Sequence, residues 1–162
     1  MSLTLGDVGV FASPGARFVL VAHLLVAVFA FGAVTHHWWA LLVRKVRADR
    51  LARYAKWMAI GYPLAWLMGV VIYPTYNVLV RKPPRGVLET TTPWAVGLFE
   101  IKEHVGTIAL VMLPLLVLSA YRCERLSRLE RISYQAATWV FTIFVYYSFV
   151  AGAIVTNVKG MP

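Results

Sequence analysis

Four histidines are the side chains best suited to chemistry in this chain, and their spacing sorts them into two groups. His23 and His104 stand alone in separate apolar stretches, whereas His36 and His37 form a doublet followed by Trp38 and Trp39. His23 lies 21 residues before Arg44, and His104 lies 18 residues before Arg122. On helices rising about 1.5 Å per residue, those offsets are about 31 Å and about 27 Å, nearly one depth measured from the basic connections. Two neutral imidazoles at one depth on different helices can hold a haem iron from opposite faces. Gly97 and Gly106 flank His104 and would let a macrocycle approach.

The same region supports a second chemistry. Glu100, Glu103 and His104 stand at i, i+3 and i+4 and share one arc of a helix. Helical di-iron centres use such faces, but they draw carboxylates from several helices, and no other apolar stretch here contains Asp or Glu. A single zinc, copper or iron ion held by His23, His104 and Glu100 or Glu103 stays open. So does a simpler arrangement, with Glu100, Lys102 and Glu103 at headgroup level and Lys102 paired to a neighbouring carboxylate.

His37 follows His23 by 14 residues, which on a helix returns within about 40° of the same face and about 21 Å further along. A second haem there would need a partner about 14 residues after His104, where Leu118 and Ser119 stand. Met58 is the one substitute, and packing is its commoner use. The doublet therefore reads as an aromatic anchor at the membrane surface, with a quinone or ligand contact through His37 as the alternative. Tyr73, Tyr76, Asn77 and Asn157 could hydrogen-bond a haem propionate, a quinone or an imidazole. Arg81, Lys82 and Arg85 are either solvated or available to an anion.

These residues need elements to position them, and composition says which kind. Of 162 residues, 60% are hydrophobic and 14% charged, and the mean hydropathy is +0.69. A soluble domain of this length could not hide so much apolar surface. Disorder is excluded by the same composition, and a disulfide scaffold by Cys123 being the only cysteine. Four apolar spans remain, at about 18–43, 57–80, 93–120 and 134–155, each long enough for a transmembrane helix. Together they predict one all-α membrane domain, residues 1–162, folded as a four-helix bundle. Pro63 and Pro74 should kink the second span.

Of 16 basic residues, ten lie in two connections: Arg44, Lys45, Arg47, Arg50, Arg53 and Lys56 in one, and Arg122, Arg125, Arg128 and Arg131 in the other. The positive-inside rule puts both in the cytoplasm and both termini outside. The net charge of +9 is thereby explained without a nucleic-acid partner. The first apolar run lacks preceding basic residues before Arg17 and exceeds a signal-peptide core, so it reads as a retained helix. No phosphate-binding loop, nucleophile elbow, HExxH or CxxC pattern is present.

The stretch Phe18-Val19-Leu20-Val21-Ala22-His23-Leu24-Leu25 resembles the histidine-bearing opening helix of small b-type cytochromes. It is also similar to the opening helix of four-helix copper-resistance-D-like membrane proteins. The resemblance implies redox or metal handling, with a histidine on another helix, here His104, completing the site.

The leading expectation is a b-type haem protein of a bacterial inner membrane, passing electrons between quinone and a periplasmic partner. Its cofactor would be held by His23 and His104, with Glu103 or Tyr76 as proton-handling or hydrogen-bonding neighbours and His37 as a separate ligand or quinone contact. The rivals are a non-enzymatic subunit or assembly factor packed in a larger complex or homo-oligomer, and a metal-ion binding or transport protein.

Overall fold

A chain this apolar must satisfy its backbone hydrogen bonds internally once water is gone, and helices do so segment by segment. The computed structural model describes residues 14–43, 47–82 and 88–159, with the side chains of Pro14, Ala16, Arg17, Leu79 and Lys159 left aside. Arg44, Lys45 and Arg85, named above, lie outside that set. The helices are α1 (Pro14–Leu42), α2 (Ala48–Tyr76), the short α3 (Leu88–Thr91), α4 (Pro93–Tyr121) and α5 (Arg128–Lys159). Four of them, all but α3, are long and apolar enough to cross a membrane, and no strand occurs among the described residues.

The helices outrun the apolar spans. α2 begins nine residues before Trp57, through Arg50, Arg53 and Lys56, and α5 begins six residues before Tyr134. Hydropathy marks where lipid starts, whereas a helix ends only where its hydrogen bonding does. The true turn before α5 is short: a 3₁₀ segment at Cys123–Arg125 precedes a reciprocal cap on α5. In that cap Glu130 Oε2 accepts from the Ser127 backbone N–H at 2.8 Å, and the Glu130 N–H donates to Ser127 Oγ at 3.3 Å. Pro63 lies inside continuous α2, while three residues past Pro74 the hydrogen-bond pattern widens into a π-helix, Asn77–Arg81.

Neighbouring helices close a ring, α1 to α2, α2 to α4, α4 to α5 and α5 to α1, which leaves α1 and α4 on one diagonal. The main core joins Ala30 and Val34 of α1, Met58 and Tyr62 of α2, Leu113 and Leu116 of α4, and Phe141 of α5. Met58 is fully buried there, as a packing residue. A second cluster, at the end opposite the basic connections, gathers Tyr76, Val80, Leu88, Ala95, Val96 and Val155. The outer surface is apolar, with Leu25, Val71, Val111, Leu115 and Ile143 exposed, as a lipid-facing surface should be.

Small residues let α1 and α2 approach closely. A Cβ on Gly61 would stand 2.8 Å from Phe29 Cδ1 and 3.4 Å from the Ala30 Cα. Phe29 is exposed and can swing aside; the Ala30 backbone cannot. Gly61→Ala should therefore lower the melting temperature slightly, and Gly61→Leu should destabilise by about 1–3 kcal/mol through overpacking. Thermal unfolding of both variants in one detergent checks the order.

Candidate functional site

Ionisable side chains at hydrocarbon depth are costly, so each needs a structural account. On α4 the inward stripe runs Phe99, Lys102, Gly106 and Ala109, spaced by three and four residues. Lys102 thus belongs to the interior. Its Nζ lies 5.0 Å from the centre of the Phe99 ring. Its Cε stands 3.6 Å from where a Cβ on Gly152 would be, so the missing side chain on α5 makes the room it occupies. Among the described residues Lys102 makes no ion pair, against the expectation that a neighbouring carboxylate would hold it.

Glu100 is taken instead by Arg81. The Arg81 Nη2 donates to Glu100 Oε1 at 2.5 Å and stands 3.6 Å from Glu89 Oε1. Burial works against the Arg81 charge, but the hydrogen bond and charge of Glu100, with Glu89 adding, hold its pKa above the ordinary value. Only 13% of that side chain is exposed, so it is not the solvated loop residue its position among turn-forming residues suggests. The π-turn carries both Asn77 and Arg81.

The remaining walls supply polar atoms with nothing to bond. His23 is half-buried on α1, its Cε1 3.6 Å from where a Cβ on Gly69 of α2 would be, and within electrostatic reach of Lys102. The His23 Nδ1, the Tyr76 hydroxyl, Asn77 Oδ1, Arg81 Nε and the Ser148 hydroxyl are all buried without a hydrogen-bond partner among the described residues. The Tyr76 ring stacks on Phe99 at 4.4 Å between centroids, and Tyr73 stacks on the same ring at 6.1 Å. Ser148 lies against Gly106, whose carbonyl accepts from the Tyr62 hydroxyl at 3.0 Å. Every spanning helix thus turns a donor or acceptor inward within this half of the bundle. Each unmet group carries a penalty of about 1–3 kcal/mol.

His104 is not among them. It follows Lys102 by two residues, about 200° around the helix, and is exposed on the outward side, its Nδ1 2.7 Å from the Glu100 carbonyl oxygen. The structure does not bring His23 and His104 onto a common centre: one ring lies inside, the other on the lipid-facing side of the diagonal helix. This arrangement does not fit a haem gripped by both. Nor does it gather a metal set from His23, His104, Glu100 and Glu103, since no three of His, Cys, Asp and Glu converge among the described residues. Glu103 is half-buried beside Lys102, and Asn157 is exposed with its amide donating to the Ala153 carbonyl, away from the cluster.

The histidine doublet splits. His36 is exposed and stacks on Tyr54 at 5.5 Å, while His37 is fully buried, its Nε2 2.7 Å from the Tyr134 hydroxyl. His37 Nδ1 has no hydrogen-bond partner among the described residues. His23 and His37 do share the inward face of α1 with Ala30 and Val34, as their 14-residue spacing requires. Tyr134 and Ser148 were not singled out in the sequence. Both lie on α5, whose charge-free run offers no contrast except the spacing of Tyr134, Thr138, Phe141 and Val145, all buried.

No protein-family model matches the chain, and no curated protein or solved structure is significantly similar to it.

Proposed function

We propose that this protein binds a membrane quinone in the polar half of its bundle, as a subunit or close partner of an electron-transfer complex of a bacterial inner membrane. The observation that carries this reading is the set of buried polar atoms on α1, on α2 with its π-turn and on α5 that lack a partner among the described residues, around Lys102 of α4 and the Phe99–Tyr76 stack. A quinone ring has the two properties that set lacks: a flat apolar face to lie on aromatic rings, and carbonyl oxygens to accept from buried donors. Lys102 and the Tyr76 hydroxyl are the donors for the carbonyl oxygens. His23 and Glu103 are the groups able to take a proton when the reduced ring is oxidised, with Glu103 leading toward the end away from the basic connections. By the positive-inside rule that end faces outward, so protons would leave on the periplasmic side. The electrons go to a redox centre on the partner, and the apolar flank of α4 around Ile101, His104 and Ile108 is exposed for contact with another subunit.

The test is quinone content and affinity. Protein purified in mild detergent should yield quinone on solvent extraction and bind a short-chain quinone in a fluorescence titration. Tyr76→Phe should weaken that binding about tenfold, the loss of one hydrogen bond of about 1.4 kcal/mol. His104→Ala should leave it unchanged. A Soret band that vanishes in both His23→Ala and His104→Ala would overturn the reading in favour of a b-type haem.

A further inference from the structure

A cavity of about 470 Å³ opens between α1 and α5 at the basic end, remote from the quinone cluster. We propose that it is a site for one anionic phospholipid of the leaflet facing the basic connections. Its wall is built by Trp38 and Trp139, packed edge to face at 4.9 Å, and by Leu41 and Leu42. Those surfaces suit acyl chain and glycerol carbons. The Trp38 Nε1 is buried without a partner among the described residues and can donate to an ester carbonyl, and the Gln135 amide lines the same space.

Charge selects the headgroup. Arg131 lines the cavity, and among the described residues its guanidinium makes no ion pair and one hydrogen bond, a long 3.5 Å donation to the Cys123 carbonyl. The adjacent carboxylate, Glu130, is already spent on the cap of α5 at Ser127. Among the described residues no Asp or Glu lines the cavity, while Arg122, Arg125 and Arg128 are exposed in the same turn against Glu124 alone. A guanidinium held free of acids above an apolar slot matches a phosphodiester carried on a hydrocarbon tail, and basic pockets between membrane helices take such headgroups. A free phosphate would satisfy Arg131 but leave the tryptophan slot empty. A quinone would fill the slot but leave Arg131 unmet.

The experiment is native mass spectrometry of the full chain released from mixed micelles containing equal phosphatidylglycerol and phosphatidylcholine. Phosphatidylglycerol should be retained at least fivefold over phosphatidylcholine. Arg131→Gln should abolish the preference, and Trp38→Phe, which keeps an aromatic wall but removes the donor, should reduce it about threefold. Arg53→Gln, an exposed basic residue of the other connection, should leave it intact. Phosphatidylglycerol should also raise the melting temperature of the wild-type protein and not that of Arg131→Gln. Equal retention of the two lipids, equal loss in Arg53→Gln, or displacement of the lipid by millimolar inorganic phosphate would overturn the proposal. None of these outcomes depends on quinone binding.

Discussion

Lys102→Met should make the protein more stable and weaken the quinone binding proposed for it. The substitution keeps an unbranched side chain beside Gly152 and Phe99 but removes an ammonium without an ion-pair partner among the described residues. A lysine at the centre of a membrane helix costs about 2.5–3.5 kcal/mol. Lys102 lies nine residues into α4, roughly 14 Å along its axis and short of the middle, so about 1–2 kcal/mol should be recovered. Quinone affinity should fall at least tenfold, because a charged donor to a carbonyl is worth about 1.5–3 kcal/mol. Opposite signs in the two readouts are the signature of a group retained for binding. A lower melting temperature in Lys102→Met would instead mark Lys102 as a structural residue.

Arg81→Leu should be the most destabilising single change near the site, at about 2–3 kcal/mol. It strips the partner from Glu100 and weakens the surroundings of Glu89, leaving carboxylates beside the apolar cluster of Tyr76, Val80 and Leu88. Glu100→Leu alone should cost less, because Arg81 keeps Glu89 and Glu100 is about half exposed. The double variant Arg81→Leu/Glu100→Leu should recover much of the loss, since a paired charge replaced on both sides by apolar groups is often nearly neutral. Unfolding of the four proteins of this cycle in mixed micelles should give a coupling of at least about 1 kcal/mol. Simple additivity would show that the two side chains do not depend on each other.

The four spans and the inward face shared by His23 and His37 were readable from the chain, because length and the 3.6-residue period are local properties. The pairing of His23 with His104 was not. Counting residues from the basic connections gives depth, and at that depth α4 offers Lys102, Glu103 and His104 in succession; which of them faces inward is a question of rotation. In a soluble helix polar residues would mark the outer face. Here both faces are apolar, with Leu113 buried and Leu115 exposed two residues later. The better guide was the small residues Gly106 and Ala109, which align with Lys102 and not with His104. Arg81 was hidden for another reason: its setting among Lys82, Pro83 and Pro84 suggests a solvated loop, and nothing local announces a π-turn reaching Glu100.

That π-turn works as a phase adjuster. Regular α-helix through Asn77–Arg81 would advance by about 100° per residue, and shortening the segment by one residue would swing the guanidinium by about that angle relative to Tyr76. The tyrosine and the arginine could then no longer serve the same interior. A single extra residue's worth of winding is therefore what couples the aromatic floor of the cluster to its electrostatic lid.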